Sequence, residues 1–320
     1  HNLPYSPIMT IHKIALNRAI IVFVGAIFAF TLGAKGAAPE AIFLSWQRDP
    51  STTMTITWRT ESRTTSALVE YGEHTWLESE VPGTTTQAIE NGKWYHVVEL
   101  TNLKPATRYY YRVQGTSGEW TPSYSFRTAP NTTADFHFAV FGDNGTEYDG
   151  TTASQTIKQK IAEIAPDFVL STGNLTYADG DTCTDRTPCV ARSWEKWLTE
   201  VTQFAKERPL MPVPGNREVM NETRFDWGEY FFTRSFSLQS QNGEGVYSFD
   251  YGNAHIVALY SPDTDGLAGG WQYRWLMNNL AATQKTWKIV YFHHPVYASG
   301  PSKGVGVFQQ WLGPVFDQFD

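Results

Sequence analysis

Four short polar clusters carry the side chains that could do chemistry. Asp143 lies in Phe141-Gly142-Asp143-Asn144-Gly145. Asn174 and Tyr177 lie in Thr172-Gly173-Asn174-Leu175-Thr176-Tyr177. Asn216 and Arg217 lie in Gly215-Asn216-Arg217-Glu218, and His293 opens His293-His294-Pro295. Carboxylate, amide and phenol oxygens with an imidazole make a donor set for iron, zinc or manganese. Arg217 adds a fixed cation whose fork suits a phosphate. Glycines beside the polar residues permit tight turns and close backbone approach. The histidines narrow the choice. Of His1, His12, His74, His96, His137, His255, His293 and His294, only the last two stand at a cluster.

Such clusters need elements that bring them together. Each follows an apolar run that reads as a strand: Phe136–Phe141, Phe168–Leu170, Leu210–Val213 and Lys288–Phe292. Helices are expected between them, with Ile157, Ile161 and Ile164 on one face of the first and Pro166 ending it. Trp194–Phe204, Trp271–Leu280 and Val305–Phe319 also read as helices. Val246–Tyr251 and Ala254–Tyr260 read as a hairpin about Gly252-Asn253. Alternating strands and helices imply an α/β domain, whose ligands gather at the C-terminal ends of the strands. His137 and His255 fall inside strands of this reading. Asp263 and Asp265 read as plain loop residues, and Lys303 as a solvated one.

Residues 39–130 read differently. Ala41–Trp46, Met54–Trp58, Ala67–Tyr71, Tyr95–Leu100, Thr107–Val113 and Tyr124–Thr128 are short β-branched and aromatic runs, punctuated by polar, Gly and Pro clusters. Leu103-Lys104-Pro105-Ala106-Thr107-Arg108-Tyr109 resembles the turn of a fibronectin type III sandwich, with Tyr109 closing a tyrosine corner. Trp58 reads as a core residue. Thr128–Thr133 is a linker, and residues 134–320 form the second domain.

Taken in order, the clusters resemble the motifs of purple acid phosphatases, within the calcineurin-like metallophosphoesterases. Those motifs read D-x-G, G-D-x-x-Y, G-N-H-[DE], V-x-x-H and G-H-x-H. Here they correspond to Asp143–Gly145, Gly173–Tyr177, Gly215–Glu218 and Val290–His293, and the fifth is absent. Asn174 stands where the family has Asp, and Arg217 where it has His. The resemblance implies an all-β sandwich followed by a four-layer α/β/β/α metallophosphoesterase domain, C-terminally incomplete in this chain. It implies Fe(III) on Asp143 and Tyr177, and a divalent metal (Zn, Fe or Mn) on Asn216 and His293. Asn174 holds the place of the bridging ligand. Arg217 and His293 take the catalytic positions, and Asn216 and Arg217 meet the substrate, a small phosphomonoester hydrolysed at acid pH. A phosphate-binding relative with impaired catalysis, or a phosphodiesterase or nucleotidase, is the alternative on the same scaffold.

Composition agrees with a folded, β-rich protein: 41% of the 320 residues are hydrophobic and 15% aromatic. The net charge of −7 and the lack of a basic run argue against a nucleic-acid backbone as partner. Met9, Lys13, Arg18 and the apolar run Ala19–Leu32, followed by small residues, read as a secretory leader cut between Ala34 and Ala38. Residues 1–38 are therefore excluded from the fold, with His1–Ile8 as upstream sequence. A secreted or periplasmic protein without a stable membrane span is expected. In that oxidising setting Cys183 and Cys189, the only cysteines, are expected to pair.

Overall fold

The structure, a computed structural model, describes residues 38–64, 67–87, 92–145, 153–176, 187–219, 245–299 and 306–319, with backbone alone for 87, 187–191 and 219. The expected leader, Tyr177, Cys183, Lys303 and the side chain of Cys189 lie outside the described residues.

Eight strands build the first domain: β1 (Glu40–Ser45), β2 (Met54–Thr60), β3 (Leu68–Gly72), β4 (Ser79–Pro82), β5 (Thr84–Gln87), β6 (Trp94–Leu100), β7 (Arg108–Val113) and β8 (Tyr124–Arg127). They form two antiparallel sheets, β1-β2-β6-β5 and β4-β3-β7-β8. Period-2 alternation sets the inner face, as in β7, where Tyr109, Tyr111 and Val113 are buried. The Tyr109 hydroxyl accepts the backbone N–H of Lys104 at 3.0 Å, the tyrosine corner expected from the sequence. Trp58 is fully buried and donates its indole N–H to the Gln114 carbonyl. Two strands escape the sequence pattern. β4 and β5 are polar edge strands of four residues each, too short and too exposed to alternate.

β2 is buried on both faces. Its inward residues fill the sandwich, its outward Thr55, Thr57 and Arg59 are buried too, and Arg59 reaches the second domain. Arg59, 1% exposed, makes a two-pronged pair with Glu195 at 3.1 and 3.2 Å. Lys93 joins at 3.0 Å. Beside them Trp46 packs on Phe168, Phe249 and Tyr251.

The second domain opens with β9 (Phe138–Phe141), α1 (Ala153–Ile164), β10 (Phe168–Ser171), α2 (Thr187–Ala205) and β11 (Leu210–Pro212). The three strands are parallel, in the order β11-β10-β9, as helical crossovers require. Phe204 of α2 meets Phe141 edge-on, so α2 covers one face of this sheet. α3 (Asn216–Val219) follows β11. A second sheet comprises the hairpin β12 (Tyr247–Tyr251) and β13 (Ala254–Ala258), turning at Gly252, with β14 (Trp287–Tyr291) parallel to β13. The Tyr247 and Tyr291 hydroxyls donate to the Pro212 and Met211 carbonyls and tie the sheets face to face. α4 (Thr264–Leu267), α5 (Trp271–Ala282) and α6 (Gly306–Phe319) complete the described elements. Val257 and Leu259 turn toward Leu276, Leu280, Phe308 and Leu312 of the helices, while Ile256 joins the main core. The layering is α/β/β/α, as expected.

Two expectations are corrected. Ile157, Ile161 and Ile164 do not form the buried stripe of α1. Ile157 is 45% and Ile164 63% exposed, while Lys158 and Ile161 are buried. The helix is turned so that Ser154 and Lys158 meet Glu200 of α2. His137 lies just before β9 rather than inside it, exposed beside Asp167. No described helix is long and apolar enough to cross a membrane.

Candidate functional site

The four clusters meet because the strands that launch them end at one side of the molecule. β9, β10 and β11 run parallel, so the loops after Phe141, Ser171 and Pro212 emerge together, and the loop after β14 reaches them from the second sheet. Backbone bonds fasten the tips. The Asp143 N–H donates to Gly173 O at 3.1 Å, and the Asn144 N–H to Asn174 O at 3.2 Å. Only glycine fits at 173. A Cβ there would lie 2.7 Å from Gly215 N and 3.0 Å from the His293 Cβ, and φ is +92°. Asp143 and Asn174 adopt φ of 49° and 51°, a left-handed conformation that Asp and Asn tolerate better than other side chains.

The side chains close on one another. Asn174 Nδ2 donates to Asp143 Oδ1 at 2.8 Å, and Asn174 Oδ1 accepts the Arg217 backbone N–H at 3.0 Å. Turning the amide over would set oxygen against oxygen and N–H against NH₂, so the partners fix its orientation. His293 Nδ1 lies 2.9 Å from Thr172 O and Nε2 2.8 Å from Asn216 Oδ1, two oxygens that can only accept. His294, its neighbour, bonds Ser261 through Nδ1, and burial and then His293 push its pKa down.

Glu218 is the residue that sequence reasoning passed over. Its carboxylate is buried and accepts the N–H groups of Asn174, Gly215 and Thr176 at 3.0, 2.8 and 3.1 Å. It thereby locks the second loop to the third. Burial pushes its pKa up to about 7, against the pull of those donors. The acid three residues after Gly215, opening a helix, was the available signal. The first tip has its own support. Asn144 is buried, its side-chain oxygen accepts the Trp197 indole N–H at 3.3 Å, and Ser154 Oγ donates to its carbonyl at 2.9 Å. Behind Ser154, Lys158 Nζ donates to Glu200 at 2.6 Å, and its pKa is lowered by burial despite that partner. Asp263, read as a loop residue, accepts from Gly266, Trp271 and Gln272 and so caps α4.

The structure thus brings Asp143, Asn174, Asn216, Arg217 and His293 together. Tyr177 and the Cys183–Cys189 pairing fall outside the described residues. Among the described residues, no group of three or more His, Cys, Asp and Glu side chains is placed to hold a metal.

Comparison with known proteins accords with this architecture. The profile "Purple acid Phosphatase, N-terminal domain" matches residues 39–128, and "Calcineurin-like phosphoesterase" matches residues 134–314. Acid phosphatase type 7 of Homo sapiens is 31% identical over 84% of this chain and 61% of its own length. An uncharacterized protein of Mycobacterium tuberculosis is 30% identical over 90% of this chain and 60% of its own. Purple acid phosphatase 22 of Arabidopsis thaliana is 30% identical over 76% and 55%. The solved structure of PhoD superposes with a TM-score of 0.61 at 16% identity, over 84% of this chain and 65% of that one, a likeness of fold. The chain belongs to the purple acid phosphatases of the calcineurin-like metallophosphoesterases, a family of metal-dependent phosphoester hydrolases. It spans about 60% of the length of the first curated relatives it matches.

Proposed function

We propose that this chain belongs to an exported protein, secreted or periplasmic, that receives small phosphomonoesters at acid pH where the four loop tips converge. One observation carries the reading: Asp143, Asn174, the Asn216–Arg217 backbone and His293 lie within one hydrogen-bonded cluster, although far apart in sequence. Arg217 supplies the cation for the phosphoryl oxygens.

The family's paired metals, Fe(III) with Zn, Fe or Mn, fit this donor set only in part. At His293, Thr172 O would hold the Nδ1 proton, and a divalent cation taking the place of the proton between Nε2 and Asn216 Oδ1 would be shared by those two atoms. Between Asp143 and Asn174 the fit fails, because the amide presents an N–H rather than a lone pair. No two-metal step is therefore assigned to this chain. The same contact favours the second reading, a relative that grips phosphate with much reduced turnover.

The test compares the chain with an Asn174→Asp/Arg217→His double variant on p-nitrophenyl phosphate at acid pH, with iron, zinc or manganese added. Calorimetry against inorganic phosphate runs in parallel. The wild type is expected to bind phosphate with little turnover, and the double variant to gain ~100-fold or more in rate, the order seen when metal-site partners change. If metal content and rate are the same in both, this cluster is not the site.

A further inference from the structure

The Asn174 amide lies where a like-charged pair would otherwise face. Its Nδ2 is 2.8 Å from Asp143 Oδ1. The residue cannot retreat. Its backbone N–H is held by Glu218, its carbonyl by the Asn144 N–H, and its side-chain oxygen by the Arg217 N–H. Gly215 presses on it from behind, with a Cβ built there lying 2.4 Å from both Asn174 N and Oδ1. Asn174 itself is buried. A carboxylate in the same place would put two anionic oxygens at hydrogen-bond distance, one of them on the buried residue 174 and the other on the exposed Asp143. Such a pair repels, and a proton or a cation between its members relieves the repulsion.

We propose that Asn174 stands in for a cation. Its N–H donates to Asp143 where a metal would otherwise sit, so the first two loop tips assemble without metal, and the chain takes at most one divalent cation, on Asn216 Oδ1 and His293 Nε2. The proposal deepens the functional reading above by setting the metal demand of the same cluster. A phosphoester site built this way keeps its shape when metal is scarce.

The experiment follows metal content and thermal stability rather than turnover. Wild type, Asn174→Asp and Asn174→Ala are dialysed against chelator, melted, then reloaded with iron, zinc or manganese and analysed for bound metal. Wild type is expected to melt within about 2 °C of the same temperature with and without metal and to hold no more than one equivalent. Asn174→Asp is expected to lose roughly 5 °C or more in chelator, to recover when metal returns, and to hold two equivalents. Asn174→Ala loses the hydrogen bond without adding charge, so its loss is smaller and metal does not reverse it. Two equivalents in the wild type, or an Asn174→Asp protein indifferent to chelator, would overturn the proposal. Should Asn174→Asp fail to fold even with metal, the wild-type count decides alone. Absence of phosphate binding would remove the functional reading and leave this one standing.

Discussion

At the scale of single residues, the site is held by groups whose importance comes from burial. Glu218 shares two oxygens among three backbone donors from two loops. A glutamine keeps the shape but offers one acceptor, and its NH₂ must face an N–H. Leaving a buried donor unmet costs about 1–3 kcal/mol. Glu218→Gln is therefore expected to destabilise by ~2–3 kcal/mol in urea unfolding and to weaken phosphate binding at the neighbouring tips. An unchanged midpoint would show that the three N–H groups do not depend on this carboxylate. The contrast with Asp143, Asn174, Asn216 and His293 explains what the sequence could show. Those residues stand at the ends of apolar runs, the first three beside glycines, a local signal. Lys158 and Glu200 are ordinary charged residues in the sequence, and Glu218 is marked there only by its cluster; tertiary packing is what makes all three buried.

Elements follow the same logic. The alternation in β2 and β7 and the hairpin at Gly252 are local and were legible, as was the tyrosine corner at Tyr109. The orientation of α1 was not, because Ile157, Ile161 and Ile164 satisfy a helical stripe while the buried face carries Lys158, paired with Glu200. β6 carries a further buried polar group with a consequence for pH. His96 lies between the Thr60 and Thr85 hydroxyls, and burial lowers its pKa from 6.5 to about 4. The folded value is below the unfolded one, so the unfolded chain takes up the proton first. The contribution is complete above pH 6.5 and is lost as pH falls through 6.5 toward 4. The loss is on the order of 2 kcal/mol. His96→Gln cannot be protonated, so its melting temperature is expected to fall less than that of the wild type between about pH 7.5 and pH 4.5. Equal falls in the two proteins would show that His96 is not the group responsible. Acid thus weakens the sandwich, and the second domain's grip on it matters more at low pH.

At the scale of the whole described body, that grip is a core rather than a polar contact. Trp46 leaves the sandwich at the end of β1 and is fully buried among Phe168, Phe249 and Tyr251, which belong to both sheets of the second domain. Phe168 lies on β10, whose far end carries the Asn174 loop. The indole therefore joins the sandwich, the parallel sheet and the hairpin at one point. The Arg59–Glu195–Lys93 cluster seals the adjoining face against α2. Surfaces joined this way unfold together, because exposing either half exposes apolar area of the other. Calorimetry on the wild type is expected to give one transition. Trp46→Ala removes the shared ring, should cost about 3–5 kcal/mol, and is expected to split the melt into two. Arg59→Leu leaves the half-buried Glu195 beside Lys93 alone and should lower the single transition without splitting it, because the aromatic junction remains. If the wild type already melts in two steps, or Trp46→Ala still melts in one, the junction at Trp46 is not what couples the sandwich to the site.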